Sequence, residues 1–244
     1  MTEATMIEEP KTGAEEVVWD LTTLYQSPDD PALESDMQRL NKMVAQFVEQ
    51  YKGRISELNA KELAQAIEAL EAIHDLSGRI SSYAVLRFTE DMNDPERGAF
   101  MQKVNEFDST LTQQLVFFNL EWNALDDEVA AKLLEAPELS KYRHHLEAER
   151  RYKPYQLSEN EEKLLIEKAV TGRNAWSRLF DQISGAMRVE WEGERIPLSI
   201  ALSKLYDEDR EIRRRAADAI TQTLEADKMT LTYIFNVLAA DKAS

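Results

Sequence analysis

Glu71-Ala72-Ile73-His74 is the first stretch of this 244-residue chain whose residue types and spacing invite chemistry. A Glu-x-x-His places both side chains on one face of a helix, the arrangement with which di-iron carboxylate bundles hold metal. Such a site needs a second copy and two further inward carboxylates. Lys141 and Tyr142 stand three residues before His144 and His145, where the second Glu would have to be. His74 therefore reads as a polar histidine on a bundle helix. His144 and His145, with Glu147 and Glu149, form the second candidate for a metal. Adjacent helical residues point roughly 100° apart, so the two imidazoles do not converge. A solvated polar face shared with Arg143, Arg150 and Arg151 is the expected reading. The third candidate, Arg210, Arg213, Arg214 and Arg215, has the charge to bind a carboxylate or phosphate. Asp207, Glu208, Asp209, Glu211 and Asp218 offer ion pairs beside it, each worth about 0.2–0.5 kcal/mol, and surface pairing is expected. No Gly-rich phosphate loop and no G-x-S-x-G turn occurs. The sequence thus assigns no catalytic, cofactor-binding or metal-binding residue.

The elements that would carry these residues are mainly helical. Asp29, Asp30 and Pro31 open a helix whose Leu33, Met37, Leu40, Val44, Phe47 and Tyr51 follow three- and four-residue steps up to Gly53. Asn59 with Glu62 has the form of a capping box, starting a helix that runs to Asp91, with a bend or close approach allowed at Gly78. Asp94-Pro95 restarts the chain, and Phe100, Val104, Phe107, Leu111, Leu115, Phe118 and Trp122 predict one central helix over 95–125, antiparallel to its predecessor. Short helices follow over 126–136 and 139–152. Ser158 with Glu161 caps another that stops near Gly172, and a further helix carries Trp176, Leu179, Phe180 and Ile183. The period then changes. Met187, Val189 and Trp191 alternate with charged residues, Gly193 supplies a turn and Ile196 returns, so a small β-hairpin is predicted at 187–196. Asp207 caps a long final helix through Ile212, Ala216, Ile220 and Leu224. That helix continues to 244 without a Gly or Pro stop, as though cut. Its stripe of Leu231, Phe235 and Leu238 is expected to be exposed and prone to self-association. Residues 1–16, polar and aperiodic, read as a mobile tail, and Val17, Val18, Trp19, Leu21, Leu24 and Tyr25 as the first apolar cluster.

Composition agrees with this class. Gly and Pro number seven each, about half or less of average usage, which favours long helices over turn-rich sheet. A net charge of −17 repels phosphates and anionic lipid, excluding nucleic acid and membrane surfaces as primary partners. No cysteine is present, so neither a disulfide framework nor a thiolate site exists. No apolar run approaches the roughly 20 residues that span a bilayer, and the N-terminus lacks the basic and apolar regions of a secretory signal. A cytoplasmic protein is expected.

The order TGRNAWSRLFDQ at 171–182, hairpin, then PLSIALSKLYDEDREIRRRAADAI at 197–220 resembles oligoendopeptidase F. This is a family of zinc metallopeptidases related to thimet oligopeptidase. WDLTTLY at 19–25, LVFFNLEWNAL at 115–125 and KYRHHLEAERRYKPYQLSENEEKLL at 141–165 fit the same family, so the resemblance spans nearly the whole chain.

The resemblance implies a helical N-terminal lobe over 17–204 and, over 205–244, the first helix of a truncated catalytic domain. It implies short peptides as substrates, cleaved at internal bonds, with the lobe forming one wall of a channel that folded proteins do not enter. It also implies zinc, held by a His-Glu-x-x-His helix whose Glu activates water. None of the three histidines sits in that arrangement. Zinc is expected only in an intact parent, where the remainder of the catalytic domain is the partner of this chain. Alone, the chain is expected to be inactive. The competing expectation is a non-enzymatic helical module that binds another chain.

Overall fold

Residues 20–243 are described by the computed structural model. The expected tail at 1–16, and Val17, Val18 and Trp19 of the first apolar cluster, lie outside the described residues. Leu21, Leu24 and Tyr25 do dock, through a single 3-10 turn at Leu21–Thr23. The Tyr25 ring packs edge-on against Tyr83 at 5.4 Å, and its hydroxyl donates to Asp36 at 3.0 Å.

Three long helices organise the chain. Helix α1 (Pro31–Tyr51) starts where the Asp30 carboxylate accepts from the Ala32 N–H, with Pro31 at the position whose N–H the helix cannot use. Helix α2 (Ala60–Glu90) carries the capping box, Asn59 and Glu62 each taking the other's backbone N–H. Gly78 leaves it unbroken, and a Cβ there would meet nothing within 4 Å, so this glycine neither bends the helix nor admits a neighbour. After Asp94, α3 (Pro95–Leu115) returns antiparallel to α2. The pairing is fixed at one end by Arg97, which binds Glu90 and the Arg87 carbonyl at 2.8 Å, and further along by Ser77 donating to Asp108 at 2.6 Å.

The single helix expected over 95–125 is divided. Val116 separates α3 from α4 (Phe117–Ala124), although its own dihedrals stay helical. Both Phe117 and Phe118 are buried at this junction, which a stripe through Phe118 alone does not foresee. At the other end of that stripe, Phe100 and Phe107 are only partly buried against the core. Helix α5 (Asp127–Leu134) matches expectation. The helix expected over 139–152 is shorter, α6 (Arg143–Arg150), with 3-10 turns at Pro137–Leu139 and Lys153–Tyr155 built around the two prolines. The first core joins α1 to α6, with Leu40, Val44, Ala66, Ala84, Trp122 and Leu139 fully enclosed.

Helix α7 (Glu159–Thr171) begins at the Ser158–Glu161 capping box and ends at Gly172, and α8 (Arg173–Ala186) follows directly. Arg178 ties α8 to α3, donating to Gln102 at 2.9 Å and to the Gly98 carbonyl at 3.2 Å. A Cβ on Gly98 would stand 3.0 Å from that guanidinium, a tight contact that glycine relieves.

The hairpin forms as expected, β1 (Arg188–Trp191) pairing antiparallel with β2 (Glu194–Pro197) in the register Val189 to Ile196. Glu192 and Gly193 both have positive φ, 52° and 92°, the pattern of a type I′ turn. Val189, Trp191 and Ile196 pack with Ala201 of α9 (Leu198–Ser203) and with Ala216 and Ile220 of α10 (Arg210–Ala226), forming a second core. The long final helix is two helices. Asp209, not Asp207, caps α10, and the chain breaks at Asp227 before α11 (Lys228–Ala243). Asp207 instead accepts from the Asp209 N–H at 2.9 Å, two residues too early to start the helix.

Candidate functional site

The two histidine-bearing stretches, 70 residues apart, meet. Helices α2, α3 and α6 enclose a groove of about 580 Å³ with an apolar floor of Ile67, Leu70 and Ile73 from α2, Leu111 and Leu115 from α3, and Phe118. Its rim is polar, with Glu71 and His74 from α2, Asp108 from α3, and Lys141, His145 and Glu149 on the α6 side.

On the rim, Tyr142 donates its hydroxyl to Glu71 at 2.7 Å and Lys141 donates to the same oxygen at 3.1 Å. Lys141 also reaches the Tyr142 hydroxyl at 3.2 Å and lies over that ring at 4.7 Å. These are the two residues that occupy the places of the absent second Glu, and they consume the Glu71 carboxylate. The bond from Tyr142, then that from Lys141, holds Glu71 below the usual carboxylate range, and the charge of His145 adds to this. Burial, and then the Glu71 carboxylate, raise the Tyr142 phenol. Asp108 is taken by Ser77, and Glu149 by Asn119 at 3.1 Å.

A zinc ion does not fit this arrangement. His74 and His145 face one groove, but its carboxylates are held by neutral or cationic donors, and among the described residues no three His, Asp or Glu side chains gather as metal ligands. Nor does the rim offer a nucleophile beside a free base. What it offers is an apolar slot between α2 and α6, closed at one side by the Tyr142–Glu71 bond.

The polar face expected around His144 and His145 is only partly solvated. Arg150 is turned inward, donating to the carbonyls of Trp122 at 2.8 Å and Leu125 at 2.9 Å, and Arg143 donates to the Leu134 carbonyl at 2.8 Å. Both cations cap the C-terminal ends of helices, α4 and α5, where carbonyls lack partners. In the arginine cluster, Arg214 pairs within α10 with Glu211 and Asp218, as expected. Arg215 leaves the helix to stack on Trp191 at 4.8 Å and pair with Glu192, and Arg213 donates to the Asp207 and Glu208 carbonyls. These contacts fasten the hairpin and the loop before α10 and occupy Arg213, Arg214 and Arg215, while Arg210, exposed at the start of α10, takes no part in them.

Several carboxylates share the depression of Glu71. Asp94 is lowered first by its bond from the Glu96 N–H, Asp127 by Lys153 and Arg150, and Glu159 by Lys163 and Lys52. A carboxylate with a depressed folded pKa stabilises the fold above its unfolded value and loses that contribution as pH falls through the folded one. The urea midpoint is therefore expected to hold from pH 7 to about 5 and to drop below about pH 4. In Glu71→Gln the drop should be shallower; an equal drop would remove Glu71 from the account.

Fold and groove together define a helical scaffold with a recess and two hydrophobic cores among the described residues. A family described as Oligopeptidase F matches residues 121–188. Oligopeptidase PepF of Bacillus subtilis is 25% identical over 225 residues, covering 88% of this chain and 33% of its own length. Group B oligopeptidase PepB of Streptococcus agalactiae is 28% identical over 222 residues, covering 86% and 36%. The fold is that of a crystal structure of oligoendopeptidase-F from Enterococcus faecium, with a TM-score of 0.67, 21% identity and coverage of 84% of this chain and 40% of that one. The chain is thus similar to oligopeptidase F proteins over most of its length, with the family match itself covering residues 121–188. It spans about a third of the length of the curated relatives it matches.

Proposed function

We propose that these residues form the substrate-channel lobe of a zinc metallo-oligopeptidase that hydrolyses internal bonds of short peptides. On this reading residues 17–204 are the lobe and residues 205–244 begin the metallopeptidase domain. The hairpin, whose core is shared with α10, is the joint between them. The zinc, the His-Glu-x-x-His helix and the water-activating Glu belong to the portion of the relatives that lies outside the match. What the present residues contribute is a wall that restricts access to flexible peptides, in a cytoplasmic setting. The supporting observation is similarity running through 88% of this chain to a relative named as an oligopeptidase, in a fold whose own histidines do not gather into a metal site.

Quenched fluorescent peptides separate this reading from that of a non-enzymatic helical module, which draws on the exposed apolar side chains of α11. The 244-residue chain alone is expected to leave the peptides intact. The same chain extended by the remaining portion of the Bacillus subtilis relative is expected to cleave them in a chelator-sensitive way. Chelator-sensitive cleavage by the 244 residues alone, free of contaminating proteases, would overturn the proposal; an inert extended chain would favour the module.

A further inference from the structure

Helix α11 is apolar on more than one side, the pattern of a helix covered on more than one side. Helix α8 covers only one. Ile234 is buried against it, with Tyr233 beside Trp176 at 5.6 Å and Phe235 beside Phe180 at 5.7 Å as its shoulders. Beyond that contact Phe235 remains 58% exposed, and Leu224 at the end of α10 is 38% exposed. With Leu231 these two line a shallow groove of about 470 Å³ between α10 and α11, and Leu238 continues the same stripe half-buried. The expected stripe of Leu231, Phe235 and Leu238 is thus corrected in part: two of its members are sheltered, while Phe235 and Leu224 stand open.

A second copy of this chain is a poor occupant, because bringing two bodies of net charge −17 together works against the apolar gain. The curated relatives point to another one, since about two thirds of their length lies outside the match. We propose that the groove formed by Leu224, Leu231 and Phe235 seats an apolar helical segment from that remaining portion of an oligoendopeptidase chain. This rests on the functional reading above and adds to it the surface through which the lobe and the catalytic portion join. Glu225 and Lys228 flank the groove with opposite charges, so a segment with a mixed polar edge suits it.

The 244-residue chain is mixed with the separately produced remaining portion of Bacillus subtilis Oligopeptidase PepF, and the affinity is read by titration and light scattering. The expected result is a one-to-one complex that Leu224→Glu and Phe235→Glu each weaken at least about 30-fold, as for an anchor in a desolvated pocket. Val129→Glu, an exposed substitution on α5, should leave the affinity within about threefold. Circular dichroism checks that helicity is kept; Leu224, which makes no ring contact, keeps the test meaningful should Phe235→Glu loosen α11. Unchanged affinity in both variants, no complex at all, or a homodimer dissolved by the same two substitutions would each overturn the proposal. Peptide hydrolysis by the covalently extended chain reads the functional proposal separately, because it does not depend on the two parts finding each other.

Discussion

Trp122→Ala should lower the unfolding free energy by about 3–5 kcal/mol, the cost of emptying a large aromatic site in a close-packed core. Trp122 is fully enclosed, and its indole N–H donates to the Leu146 carbonyl at 3.1 Å, tying α4 to α6. The Arg150 guanidinium lies over the ring at 5.5 Å. Trp122→Phe fills most of the space but removes the indole's bond to that carbonyl, and is expected to cost about 1–3 kcal/mol. Guanidinium unfolding followed by far-ultraviolet circular dichroism measures both. A loss under about 1 kcal/mol for the alanine variant would mean that the ring is not a keystone of the first core.

Arg150→Met is expected to destabilise by about 1–3 kcal/mol, mainly by removing the guanidinium's two charge-assisted bonds to the Trp122 and Leu125 carbonyls. Its pairing with Asp127 matters less, since that carboxylate is largely exposed and exposed ion pairs contribute at most about 1 kcal/mol. Lys153 partly compensates, donating to the same Leu125 carbonyl at 3.1 Å and to Asp127 at 2.9 Å. The discriminating comparison is Asp127→Asn, which should cost well under half as much when both variants are unfolded in urea. Equal losses for the two variants would make the ion pair, and not the carbonyls, the source of the effect.

Why the sequence foresees some of this and not the rest follows from the range of the interactions. The helices at Pro31–Tyr51 and Ala60–Glu90, the capping boxes at Asn59 and Ser158, and the hairpin are local, set by residues within a few positions of each other. The break at Val116 is invisible because both halves carry a continuous apolar period and the residue itself stays helical. The break at Asp227 escapes notice for the related reason that no Gly or Pro marks it. Asp207 and Asp209 are equally good caps on paper, and only the loop held by Arg213 decides between them. The groove needs the 3-10 turn at Pro137–Leu139 and the start of α6 brought against α2 across about 70 residues of sequence, so its Glu71–Tyr142 bond has no local signature. Arg150 reads as one more surface cation until the carbonyl ends of α4 are brought under it.

The seat of Arg178 over Gly98 has a consequence for how this scaffold tolerates change. A methyl at position 98 would sit 3.0 Å from the guanidinium, so alanine there requires the end of the Arg178 side chain to give by a few tenths of an ångström. A side chain larger than alanine at 98 would push the guanidinium further, and with it would go the two tethers of helix α8 to α3. Since α8 also carries the rings that steady α11, such an enlargement would be felt at the last helix, from a distance.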